Sequence, residues 1–256
     1  MSQTRYSNGI ALCRKGTDGI VRLLMIHRRY TYAFFSFVCG RYSSRNDSAI
    51  IALLDEMTVD EKLDILSMNF SQMWYRIWLD HVGMPTMFAR MRNKFTELIR
   101  ADQGAKLRTL VRRSTLYASS PLWEIPKGRK KYPNEHNIDC AIREFYEETG
   151  IPRNDYRLTS GIFVMTFTEE RTRYVITYYI AVSTRDISQR LGASSLTRLS
   201  ELNGMRWVSA AEMPVYAPRD IAGHQRVIHF AKRRLKLAFT QSSHNYSLEY
   251  NTVDHA

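Results

Sequence analysis

Arg143, Glu144, Glu147 and Glu148, within the run REFYEETGI, are the residues in this chain whose types and spacing could do chemistry. Around them Ile138, Ala141, Ile142 and Phe145 recur at helical spacing, and Gly150 then Pro152 supply a stop, which predicts a helix over 139–149. Glutamates three and four residues apart share one helix face, where their like charges repel. Glu147 and Glu148 also fall in the last turn, where the helix dipole disfavours negative charge. Arg143 can pair with Glu147 four residues on, and that offsets only part of the cost. A cation is therefore expected against this face, and an oxygen-only set of carboxylates suits Mg²⁺ or Mn²⁺.

Other elements must hold that helix in place. Residues 8–14 and 20–28 read as two strands joined by a turn at Gly16–Gly19. From about Ser43 the pattern changes to helices: 47–57, then 62–68 behind a capping box of Thr58 and Glu61, then 70–81, 86–100 and 106–116. Strand signals return at 122–125 and continue at 156–168, 171–183 and 205–209, before a last helix over about 219–237. Two strands alone make a poor domain. The pattern therefore predicts an α/β domain made of residues 1–42 and 119–240, interrupted by a helical insertion over 43–118, with a polar tail over 241–256.

The chain has 256 residues, enough for one large or two small domains, and its 44% hydrophobic content is that of a globular protein. Cys13, Cys39 and Cys140 show no metal-ligand spacing, which suits free thiols in a reducing compartment. No apolar run approaches the ~18 residues of a membrane span, and the first residues do not read as a signal peptide. A cytosolic or nuclear location is expected. The net charge of +12 is concentrated away from the acidic helix, most densely over 90–131, with a further group at Lys232, Arg233, Arg234 and Lys236. Such basicity favours a polyanionic partner, nucleic acid before phospholipid.

The segment Gly128–Ile151 resembles the Nudix box, G-x5-E-x7-R-E-U-x-E-E-x-G-U with U aliphatic. The match runs through Gly128, Arg143, Glu144, Glu147, Glu148, Gly150 and Ile151, with Phe145 at an aliphatic position. Six residues rather than five separate Gly128 from Glu135, so Asn134 takes the nominal glutamate place and a one-residue loop insertion is expected. The order of segments, RRYTYAFFSFVCGRYS at 28–43 followed by the helical stretch 57–80, is also similar to the decapping enzymes of large DNA viruses.

The resemblance implies a Nudix α/β/α sandwich interrupted by a helical insertion domain. It implies metal-dependent hydrolysis of the 5′ cap of mRNA, releasing 7-methyl-GDP and RNA with a 5′-monophosphate, in the cytoplasm (of the host, if the chain is viral). Glu144, Glu147 and Glu148 would hold the ion, with Gly128 beside them, and Arg143 would orient the carboxylates. The family often adds a glutamate before a late strand; Glu201 fits that place, with Glu169 and Glu170 as weaker candidates. Lys127 in WEIPKG, with Arg129 and Lys130, would face phosphates, and Lys94, Arg112 and Arg113 of the basic insertion would track RNA. Tyr30, Tyr32, Phe34, Phe35, Tyr174 and Tyr178 are candidates to stack on a methylated guanine, each competing with ordinary core packing. Diphosphoinositol polyphosphates and dinucleoside polyphosphates are the alternative substrates.

Overall fold

Residues 8–13, NGIALC, are buried without alternation, as expected of a strand covered on both faces. They form the middle of β1 (Gln3–Lys15). The computed structural model describes residues 3–78, 84–100, 104–169, 172–184, 202–216 and 223–234. Within them β2 (Val21–Arg28), β3 (Trp123–Glu124), β4 (Lys127–Gly128), β5 (Tyr156–Glu169), β6 (Thr172–Ser183) and β7 (Leu202–Ser209) complete a mixed sheet in the order β3-β2-β1-β6-β5. β4 pairs with β1 and β7 with β2. β1 runs parallel to β6 from Gln3↔Thr172 to Cys13↔Val182, and β5 runs antiparallel to β6 with a register shift between Leu158 and Ile162. This is the α/β class the sequence implies.

The helices between β2 and β3 are α1 (Tyr32–Val38), α2 (Asp47–Asp55), α3 (Val59–Ser67), α4 (Phe70–Trp78), α5 (Pro85–Arg100) and α6 (Ala105–Arg113). After β4 comes α7 (Asn137–Thr149). Residues 223–234 are also helical. The chain divides into two units, Met1–Ile26 with Glu124–Ala193 and Met205–Ala256, and His27–Trp123 with Ser194–Gly204. The division falls outside the 43–118 span read from the sequence, because α1 belongs with the helices. Its run YAFFSFV has aromatic residues on every side and no polar face, so it gives no helical periodicity; Thr31 starts it by accepting from Phe34 N at 3.0 Å.

Each unit has its own core. In the helical unit Phe34, Phe37, Ile50, Leu54, Trp74 and Phe95 are buried, with Phe70 centred 5.8 Å from both Trp74 and Phe95. The aromatic spacing of Phe70, Trp74 and Ile77 is thus core packing. The capping box at Thr58 and Glu61 forms as the sequence predicts. In the sheet unit Ile10, Leu12 and Leu24 meet Ala141 and Phe145 of α7 and Trp207 of β7. Phe145 is fully buried, which fixes the rotation of α7 about its axis and turns its glutamates toward β4. Cys13, Cys39 and Cys140 are free and buried. Among the described residues no helix is long and apolar enough to cross a membrane.

Candidate active site

The site is built where α7 crosses the short β4. Asn8 and Gly9 of β1 pair with Gly128 and Lys127, which brings β4 onto the most buried strand of the sheet. The Glu144 carboxylate lies directly on Gly128, so a Cβ added there would overlap its carboxyl atoms. A side chain at this position would push the Glu144 carboxyl group aside. At the other end of α7, Gly150 has φ 67° and ends the helix in the left-handed conformation, donating to Tyr146 O at 2.8 Å.

Arg143 is the hub. Its Nε donates to Glu135 Oε1 at 2.8 Å and its Nη2 to Glu135 Oε2 at 3.1 Å, a two-pronged pair. Its Nη1 donates to Glu144 Oε1 at 2.8 Å and to Glu147 Oε2 at 3.0 Å, and Nη2 also reaches Arg129 O at 2.9 Å. Glu135 further accepts from Lys131 N at 2.7 Å. Glu135, one residue beyond the nominal glutamate place, is therefore paired with Arg143. The guanidinium holds the Glu135 carboxyl down at about 2, and the carboxylates raise Arg143 above its usual range. Glu144 is shifted upward, chiefly because burial disfavours its charge, with Glu147 and Glu135 adding to the effect and Arg143 opposing it.

Glu148 meets the backbone of β4. It is 9% exposed, and its Oε2 accepts from the backbone N of Lys127 at 2.9 Å. The Lys127 ammonium forms an ion pair with Glu124 of β3, which is itself buried. The sequence did not single out Glu124, although its place three residues before Lys127 in WEIPKG was the available signal. Arg129 and Lys130 are exposed on the loop that follows Gly128. Glu201 and Glu170 lie outside the described residues.

The remaining candidates belong to the helical unit or to the sheet. Arg112 and Arg113 are exposed at the end of α6, Arg112 at 3.4 Å from Thr109 Oγ1. Lys94 differs from expectation: its ammonium donates to Gly40 O at 2.7 Å and sits 5.0 Å from the centre of the Tyr42 ring, so it ties α5 to the segment that follows α1. Phe34 and Tyr178 are buried, Tyr30 and Phe35 pack on the helical core, and Tyr174 stacks on Phe167 at 5.0 Å. Tyr32 is 45% exposed with the Arg28 guanidinium 4.6 Å from its ring centre.

A NUDIX domain profile matches residues 95–230. The chain is 33% identical over 230 residues to the mRNA-decapping protein g5R of African swine fever virus, covering 87% of this chain and 90% of that protein. It is 33% identical over 101 residues to the mRNA decapping complex subunit 2 of Schizosaccharomyces pombe, covering 39% of this chain and 12% of that protein. Among solved structures, an Ap4A hydrolase of C. elegans aligns over 90% of this chain and 97% of its own, at 12% identity and a TM-score of 0.46.

Nudix hydrolases generally use divalent metal ions. Among the described residues no three His, Cys, Asp or Glu side chains are arranged as a ready ligand set. Glu144 and Glu147 are turned onto Arg143, and Glu148 onto the Lys127 amide. The donor chemistry nevertheless fits a hard cation. Glu135, Glu144 and Glu147 share a single guanidinium, so the cluster carries excess negative charge, and every candidate ligand atom is oxygen. With the domain profile covering more than half of the chain and a relative 33% identical across most of its length, the chain belongs to the Nudix family.

Proposed function

We propose that this chain is a metal-dependent mRNA-decapping hydrolase. It breaks one phosphoanhydride bond of the 5′ cap, consuming one water and releasing 7-methyl-GDP and RNA with a 5′-monophosphate. The observation that carries this reading is the acidic end of α7 against β4, with Glu144 seated on Gly128 and Glu148 on the Lys127 amide, in a chain that aligns along most of its length with a decapping protein. The reading also places the reaction in the cytoplasm, that of the host if the chain is viral.

In this reading Glu144, Glu147 and Glu148 hold Mg²⁺ or Mn²⁺, with the Gly128 carbonyl as a further oxygen. When bound, such an ion supplies charge neutralisation for the phosphates and an attacking water that loses its proton near neutral pH. Arg143 fixes the directions of Glu144 and Glu147 and is itself fixed by Glu135. Once the reacting phosphates lie against Gly128, the exposed Arg129 and Lys130 stand on the adjoining loop, where a polyanion would meet them. Glu201 is the candidate for an additional base.

The helical unit supplies the second half of the proposal. Arg90, Arg92, Arg100, Arg108, Arg112 and Arg113 are exposed on α5 and α6, and a long anionic chain is the partner such a surface suits. Lys94 is left out of that surface because its ammonium is already committed to Gly40 and Tyr42.

The test uses RNA labelled in the cap, incubated with the purified chain and Mn²⁺ or Mg²⁺, with uncapped RNA and free cap analogue as competitors. Labelled 7-methyl-GDP is the expected product, with competition by uncapped RNA stronger than by cap analogue. No release from capped RNA alongside rapid turnover of a diphosphoinositol polyphosphate would overturn the proposal.

A further inference from the structure

The Glu124–Lys127 pair is absorbed by neither the triad nor the helical unit. Both side chains are largely shielded, with 8% of Glu124 and 17% of Lys127 exposed. A lysine ammonium is a flexible, strongly hydrated point charge, and placing it under cover beside a carboxylate loses hydration at both partners. The geometry of β4 shows what the pair accomplishes. The backbone N of Lys127 lies 2.9 Å from Glu148 Oε2, and the next residue, Gly128, carries the Glu144 carboxylate directly on it. The four-carbon stem of Lys127 therefore begins at the carboxylates proposed to hold the metal, and its ammonium has them within its sweep.

An ammonium on Glu148 would neutralise a ligand and repel a divalent cation. We infer that Glu124 is a positioning residue that holds the Lys127 ammonium off Glu148 and Glu144, so that those carboxylates keep their charge for the divalent ion. The ammonium of Lys127 is paired with Glu124, while Glu148 sits on the backbone amide at the root of the same side chain. The inference rests on the proposed reading of the triad as a metal site.

The experiment titrates Mn²⁺ into the full chain and follows the signal of the free hexaaqua ion by electron paramagnetic resonance, with no substrate present. Four proteins are compared: the natural chain, Glu124→Gln, Lys127→Gln and the double variant, each checked for an unchanged circular dichroism spectrum. Glu124→Gln is expected to bind Mn²⁺ about tenfold more weakly, the usual scale for losing a residue behind a ligand. Lys127→Gln is expected to bind no more weakly than the natural chain, and the double variant to match Lys127→Gln. Glu124→Asp keeps the charge and is expected to stay within about threefold of the natural chain, which covers the case in which the glutamine variant misfolds. Equal weakening in Glu124→Gln and the double variant would overturn the inference, as would no weakening in Glu124→Gln. A natural chain that binds no Mn²⁺ would instead remove the metal reading itself.

Discussion

Two clusters of charge, one in each unit, follow opposite rules. In the helical unit Glu61 accepts from Thr31 N and Thr31 Oγ1, both at 2.7 Å, and from Thr58 N at 2.9 Å. Lys62 beside it donates to Ser114 Oγ at 2.8 Å, to Ser114 O at 3.1 Å and to Leu116 O. Every one of these partners is a neutral amide, hydroxyl or carbonyl, placed so that the charge spreads over several dipoles. In the sheet unit Glu135, Glu144 and Glu147 instead converge on the one guanidinium of Arg143. A buried charge whose bonds are all met by neutral groups holds elements together, here α1 to α3 and α3 to the segment after α6. A set of like charges with too few counter-charges suits a cation. That difference separates architecture from chemistry more sharply than burial does.

The largest expected effect tests the sheet-unit cluster. Glu147→Gln leaves the fold and the helix intact, because Glu147 is about half exposed, yet turnover of capped RNA should fall by about 10²–10³ or more. Retained turnover in single-turnover assays would place the chemistry elsewhere. Next is the structural cluster. Glu61→Ala leaves the amides of Thr31 and Thr58 without their acceptor and should lower the stability of the helical unit by about 3 kcal/mol, read from urea unfolding followed by tryptophan fluorescence. A change below about 1 kcal/mol would erase the contrast with Glu147.

A smaller effect concerns the exposed cations. Reversing charge at Arg112 and Arg113 together should weaken binding of long RNA about tenfold and reduce its salt dependence, while cleavage of a small phosphoanhydride stays as it was. Equal loss of both activities would remove the distinction between the two regions. The smallest effect is in acid. Arg143 lowers the Glu135 carboxyl to about 2 in the folded chain, below the ordinary carboxylate value of about 4.3. The pair therefore stabilises the fold fully above that ordinary value and is lost as pH falls toward about 2. Glu135→Gln should be less stable at neutral pH and should show a shallower fall in melting temperature across that window.

The parts of the site that could be read from the sequence were those written in one helix. Glu144, Glu147 and Glu148 are spaced by a single repeat, and Phe145 tells which side is buried, so the acidic face of α7 follows from residue order. Glu135 was harder, because loop length is no guide to where a side chain ends up; Arg143 settles it with two hydrogen bonds. Lys94 and Lys127 show the limit. A lysine reads as surface charge, but its long stem can carry the ammonium to a carbonyl such as Gly40 O or to a carboxylate such as Glu124, and neither target is periodic in the sequence. α1 was missed for the same kind of reason. Its helical state is imposed by Thr31 at one end and by packing in an aromatic core on several sides, not by a polar face.

The helical unit begins and ends side by side: the His27 and Trp123 rings stack at 4.6 Å, and Arg28 N donates to Leu122 O at 2.9 Å. Bringing together two chain ends separated by about 100 residues costs on the order of 4 kcal/mol in entropy. The helices of this unit pack on partners both near and far in sequence, α2 and α3 against α6 as well as α4 against α5. A nascent chain that folds residues 27–123 first has met that cost before the sheet needs β2 and β3 together. The unit would thus serve the enzyme as a clasp in time as well as a surface, and its excision would be felt first in the yield and rate of refolding.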